Sequence, residues 1–216
     1  MRLIQRNFFY VITSFGLLFM GNIVFAQDPI ATERPTQSIG SLVLPANSFQ
    51  FEQGFTYKGD TLELDGFFRL GVSDIGELRL FTYYDSPLVT IGAKVNILKD
   101  KNYRPGIAIR VELTGAKVTD YRLAIMQKLS DQFSVTVNAG YSHTTYGILA
   151  IGYSFADRFG AYLEGYFESG YTQLNTGLTF AVNSETQLDI NTGLLNFDGG
   201  YLTVGFARRF MFKKSE

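Results

Sequence analysis

A chain of 216 residues with a formal charge of −1 and no cysteine or tryptophan has room for one domain with a sizeable core. It cannot form a disulfide framework or a thiolate metal site, its single histidine (His143) does not make a protein zinc site, and it has no basic field to draw nucleic acid. Aromatic residues, all Phe and Tyr, make up 15% of the chain, which favours a pleated, β-rich fold.

Residues 1–26 read as a secretory signal peptide. Arg2 and Arg6 form a positive n-region, a mostly apolar stretch follows from Phe8 to Phe25, and Val24, Phe25 and Ala26 offer a cleavage site before Gln27. An uncleaved anchor is the weaker alternative, because Thr13, Ser14 and Asn22 interrupt the stretch. Residues 27–47 hold Pro29, Pro35 and Pro45, show no sustained alternation and read as an irregular N-terminal arm.

From Ser48 the sequence alternates with a period of two, the signature of strands. Phe49, Phe51, Phe55 and Tyr57 share one parity; Leu62, Leu64, Phe68, Leu70 and Val72 share the next. The pattern recurs through Val89 to Ile97, Ile107 to Leu113, Tyr121 to Leu129 and Phe133 to Tyr141, and closes with Leu202, Val204, Phe206, Phe210 and Phe212. About twelve segments result, each near the ~9–11 residues a tilted membrane strand needs. Polar turns such as Ser73-Asp74, Ser130-Asp131-Gln132, Asp157-Arg158 and Asn183-Ser184-Glu185 alternate with short connections at 58–60, 85–87, 115–118, 142–144, 169–171 and 196–200. The prediction is an all-β, transmembrane, antiparallel up-and-down barrel over residues 48–212, with a tail at 213–216.

Charge decides which face meets lipid. The apolar parity carries one charge, Arg208. The opposite parity carries Glu52, Glu63, Asp65, Arg69, Arg79, Lys94, Arg110, Glu112, Arg122, Lys128, Glu164, Glu168 and Asp189, which are therefore expected to line the lumen. A soluble sandwich would leave the same residues solvated. The signal peptide, the high strand count and small inward residues such as Gly92, Gly140, Gly177 and Gly205 favour the lumen. Phe67, Phe81, Tyr83, Tyr162 and Tyr166 share the inward parity, as an aromatic patch or as space-filling. Charges of both signs leave two interiors open: a salt-bridged plug, or a narrow polar path along the wall of the seventh, eighth and tenth strands.

The stretch Tyr141-Ser142-His143-Thr144-Thr145 only loosely resembles the His-x-Ser motif of outer-membrane phospholipase A. Thr145 occupies the serine position, so no catalytic residue is expected and a surface lipid hydrolase is the weakest reading.

The arm and first strand carry Thr32-Glu33-Arg34-Pro35-Thr36-Gln37 and Leu44-Pro45-Ala46-Asn47-Ser48-Phe49-Gln50-Phe51-Glu52-Gln53-Gly54-Phe55. With Phe68-Arg69-Leu70-Gly71-Val72-Ser73-Asp74 and Glu77-Leu78-Arg79-Leu80, they resemble the outer-membrane "transporter" proteins grouped with the phenol meta-pathway degradation family. That resemblance implies a barrel that helps hydrophobic or aromatic compounds cross the envelope. Glu33, Arg34 and Pro35 match its arm motif, and the arm is expected to tuck into the lumen with Glu33 or Arg34 paired to a wall charge; a free periplasmic tail is the alternative.

The functional expectation is passive passage of small molecules across a bacterial outer membrane, without cofactor or metal. Its partners are then outer-membrane lipid, an unidentified solute and, during biogenesis, the barrel-assembly machinery. A non-conducting structural or interaction barrel is the alternative.

Overall fold

The computed structural model describes residues 30–101, 104–115, 117–197 and 199–212. The expected signal peptide, the first three residues of the arm and the tail at 213–216 lie outside them. Among the described residues are twelve strands: β1 (Ser48–Lys58), β2 (Thr61–Ser73), β3 (Gly76–Tyr83), β4 (Val89–Leu98), β5 (Gly106–Thr114), β6 (Lys117–Lys128), β7 (Phe133–Ser142), β8 (Thr144–Ala156), β9 (Phe159–Glu168), β10 (Tyr171–Asn183), β11 (Thr186–Leu195) and β12 (Gly200–Met211).

Each strand pairs antiparallel with its chain neighbour, and β1 pairs with β12 to close the barrel. Closure runs in register from Ser48 opposite Met211 to Lys58 opposite Tyr201, leaving no open edge. Register shifts at Gly71/Ser73, Asn96/Leu98, Ser154/Ala156 and Ala181/Asn183 fall near the end that carries the strand termini Ser48 and Met211, here the terminal end, and one at Glu112/Leu113 falls near the other. They add local twist. At the opposite, far end the connections are tight: His143 alone turns β7 into β8, with φ 67°.

The polarity of this fold is inside out. The largest fully buried side chains include Arg69, Lys94, Gln50, Glu52, Glu77 and Glu164. Leu78, Ile91, Ile109, Leu149, Leu163 and Ile190 are exposed around the circumference. An aqueous exterior would penalise this arrangement twice; a hydrocarbon exterior favours it. Tyr57, Tyr84, Tyr121 and Tyr141 ring the outside at the far end. At the terminal end Phe133 stacks on Tyr153 at 4.6 Å and Phe159 on Phe180 at 4.8 Å, with Phe155 beside Phe159 and Phe210 against Phe49, so the apolar band has an aromatic girdle at each border.

One polar residue of the outer face shows how strictly that band is kept. Gln53 is 6% exposed, and the Tyr84 hydroxyl donates to its Oε1 at 2.7 Å. Tyr84 lies over Gly66, where an added Cβ would meet the tyrosine oxygen at 2.5 Å. The glycine thus makes the seat that lets an aromatic ring seal a glutamine from lipid.

Leu123 sits mid-strand on the outer face of β6, opposite Ile109 and Ala139, and is 40% exposed. Leu123→Arg is expected to destabilise the barrel in lipid by about 2–4 kcal/mol, as midplane cations do in transmembrane barrels. Urea unfolding in vesicles measures this; a negligible change would place Leu123 outside the hydrocarbon.

Candidate functional site: a lumen filled by the arm

About eight strands already enclose an interior that side chains can fill; twelve enclose more. Here the arm fills it. Residues 30–47 run inside the barrel, with Ile30, Ile39 and Leu44 buried and Ser41 fully enclosed. An irregular segment in such a place must find partners for its backbone, and the wall supplies them from most of the circumference. Glu52 accepts from the amides of Glu33 and Arg34 at 3.1 and 2.9 Å. Glu164 accepts from Gln37 and Ser38 at 2.9 and 2.7 Å. Asn138 does what a neighbouring strand would do: its Oδ1 accepts from the Ile39 amide at 2.8 Å and its Nδ2 donates to the Ile39 carbonyl at 3.0 Å. Asn191 donates to the Pro35 carbonyl at 2.9 Å, Asn96 to that of Ser41 at 2.7 Å, and Glu77 accepts from the Leu44 amide at 2.8 Å.

The two charged residues among the arm's described residues face opposite charges. The Glu33 carboxylate lies 2.5 Å from Lys94 Nζ, is bonded by Arg79 and stands 3.9 Å from Arg69. Burial alone would push its pKa up, but Arg79, Lys94 and Arg69 together hold it well below the usual carboxylate range. Arg34 points the other way, 2.9 Å from Asp65 and 3.9 Å from Asp189. It passes between Gly54 and Gly205, paired across the β1–β12 seam; a side chain on either glycine would collide with the guanidinium. Pro35 follows and offers only its carbonyl, which Asn191 takes.

The wall charges are also linked to one another. Arg69 bonds Glu77 at 2.7 Å and Glu52 at 3.1 Å, and Arg79 bonds Glu77 at 2.9 Å. Arg110 pairs with Asp120 at 2.7 Å and with Glu112 at 3.2 Å. Arg122 donates to the Tyr146 hydroxyl at 2.6 Å, which donates on to Asp120 at 2.5 Å, and Arg122 also reaches the Gln37 carbonyl at 2.6 Å.

Of the residues expected in the lumen, Glu52, Asp65, Arg69, Arg79, Lys94, Arg110, Glu164 and Asp189 are buried inside and Glu112 and Arg122 are half-buried among them. Glu63 is half-buried at the far mouth. Two positions differ from the expectation. Lys128 is exposed as the last residue of β6, and Glu168 ends β9, bonded to Thr144 and Tyr166 at the far rim. Both hold the inward parity, but each strand outruns the enclosed part of the barrel. Sequence reasoning passed over Glu77, Asp120 and Tyr146. Glu77 shares parity with Arg79 and Asp120 with Arg122; their places beside turns hid them, although parity alone would have included them. The pairing of Tyr141 with Thr145 and Ser142 with Thr144 puts Ser142 on the inner face and Thr145 on the outer, so they do not converge with His143 on one site.

The arm leaves space on both sides. A far-end cavity of about 380 Å³ is bordered by Lys58, Glu63, Tyr83, Tyr171, Gln173 and Tyr201, with Arg34 to Gln37 as its floor. A terminal-end cavity of about 520 Å³ opens between Gln132, Ser154, Gly160, Thr179, Ala181 and Gln187. A side cavity of about 250 Å³ lies against Glu33, Ile39, Phe67, Phe81, Arg79 and Arg110. The larger two approach each other along β9 to β11. Gln187 borders the terminal-end cavity and Asn191 the far-end one, so about 13 Å of strand separates them. The inward residue between them on β11 is Asp189; Tyr162, whose ring lies on Gly177, is level with Asn191, and the arm meets this wall where Gln187 donates to Thr32 and Asn191 to Pro35. The thin part of the barrier thus belongs to β9–β11, and the expected wall of strands seven, eight and ten is only partly the one used.

No family model matches this chain, and no curated protein does. Among solved structures it is similar to a KdgM porin (12% identity, 74% of this chain and 99% of that one, TM-score 0.63). It is also similar to a KdgM porin in complex with disordered oligogalacturonate (13% identity, 76% and 99%, TM-score 0.60) and to a NanC porin (7% identity, 74% and 98%, TM-score 0.55). These likenesses span nearly the whole of those chains and show the fold: a closed porin-type barrel.

Proposed function

We propose that this chain is a bacterial outer-membrane channel for passive passage of small molecules, with the lumenal arm as its constriction. The observation that carries the reading is the pair of cavities, one open at each end, whose borders on β11 stand only four residues apart, at Gln187 and Asn191, with Asp189 and the arm between them. A barrel serving only as scaffold has no need of two aqueous mouths that nearly meet. The apolar band between aromatic girdles supports a membrane setting. Strand termini at one end, with an even strand count, support a periplasmic terminal end and an extracellular far end. The resemblance of the arm and first strands to the phenol meta-pathway degradation group supports hydrophobic or aromatic compounds among the solutes.

Reconstitution into planar bilayers tests this. Stepwise current in salt, accompanied by flux of small uncharged solutes into vesicles, is the expected result. A folded, heat-modifiable barrel that gives neither current nor flux would favour the non-conducting scaffold.

A further inference from the structure

We infer that Glu33 occupies a carboxylate-binding site of the wall, and that the ligand this site takes is a small monocarboxylate with an apolar body, held where the Glu33 carboxylate now lies. The inference rests on the channel reading for how such a ligand arrives, but the site itself is a matter of wall residues.

The cations around Glu33 outnumber the wall's own acids. Arg69, Arg79 and Lys94 converge from β2, β3 and β4 and are all buried. The wall opposes them with two acids at hydrogen-bond distance, Glu52 and Glu77, both bonded to the arginines, while Glu112 stands 3.8 Å from Arg79 and closer to Arg110. Next door, Arg110 and Arg122 are balanced by Glu112 and Asp120. Within this cluster Lys94 has its close carboxylate partner in Glu33, at 2.5 Å. The third negative charge is therefore supplied by the arm. A wall without it holds buried positive charge in excess, a state that binds an anion strongly because desolvated cations must be compensated.

The space beside Glu33 has a matching shape. The side cavity borders Glu33 itself, and its other walls include Phe67, Phe81 and Ile39 beside Arg79 and Arg110; the two further carboxylates on it, Asp65 and Glu112, are paired with Arg34 and Arg110. The Arg79 guanidinium lies 4.6 Å from the centre of the Phe67 ring. Apolar surface next to convergent cations suits a ligand with a carboxylate at one end and an apolar group at the other. Inorganic anions would use only the cations, and uncharged ligands only the rings.

The test uses the full mature chain in detergent at constant ionic strength, with sodium benzoate as probe and benzamide as its uncharged counterpart. Glu33→Ala removes the arm's carboxylate. It is expected to bind benzoate saturably, at least about tenfold more tightly than the unsubstituted chain does, and to bind benzamide no better than that chain. Equal benzoate binding by the two chains, or equal benzoate and benzamide binding by the variant, would overturn the inference. A second measurement leaves Glu33 in place. Because the chain has no cysteine, Thr36→Cys gives a single thiol on the arm. Benzoate competing with Glu33 should speed its maleimide labelling relative to equal chloride, and an unchanged rate counts against displacement of the arm. Neither readout needs a current, so a barrel that binds benzoate yet never conducts would fail the channel reading and leave the site standing.

Discussion

Arg69→Ala should cost the barrel about 3–5 kcal/mol, the loss typical when one partner of a buried ion-pair network is removed. Arg69 is 1% exposed and donates to Glu77, to Glu52 and to the Ala31 carbonyl. Its truncation leaves two buried carboxylates with a missing cation and frees one hold on the arm. Equilibrium urea unfolding of the refolded barrel measures the loss. Arg69→Lys should recover only part of it, since an ammonium group cannot span Glu77 and Glu52 with a planar fork. A cost below about 1 kcal/mol, the range of a solvated surface pair, would mean that water reaches this cluster.

Tyr162→Ala should raise single-channel conductance severalfold. Tyr162 and Asp189 stand on the wall between the two large cavities, where the arm meets it at Thr32 and Pro35, and the tyrosine ring fills the space above Gly177 while its hydroxyl approaches the Pro35 carbonyl at 3.4 Å. Removing the ring thins the barrier between the cavities without removing any ion pair that holds Glu33 or any hydrogen bond to the carboxylate of Glu164. Tyr162→Phe should leave conductance near its original value, because the ring and not the hydroxyl is the obstruction. If Tyr162→Ala changes nothing, the path runs elsewhere, and the side cavity near Phe67 and Phe81 is the next wall to open.

What holds the arm differs from what blocks the way. The arm is tied by carboxylates and amides that accept and donate along its backbone, Glu52, Glu164 and Asn138 among them, so its position is over-determined. The barrier along β9–β11 depends on few side chains. Selectivity and flow in such a lumen are therefore tunable by single substitutions, whereas eviction of the arm requires several contacts to fail together.

Period-two alternation by itself determined the strands, their number and the direction each side chain faces. A strand offers two faces, and a hydrocarbon exterior tolerates almost no charge on one of them. The nearly uncharged parity, broken by Arg208, therefore identified the outside, and Glu52, Arg69, Lys94 and Glu164 identified the inside. Closure, with β1 zipped to β12, follows from the same constraint, because an open edge cannot lie in lipid.

What lay beyond the sequence was the pairing of charges across the lumen. Parity says that Arg69 and Glu77 face inward, but not that they meet, nor that Glu33 completes their cluster while Arg34 crosses to Asp65. Those partnerships join residues far apart in the chain, and they are fixed by the path of an arm that has no periodicity to read. The same holds for Asn138, an unremarkable inward asparagine until the Ile39 backbone is laid against it. Repetition made the wall legible; the non-repeating segment inside it acquired its role only when the barrel closed around it and left its backbone no water to bond.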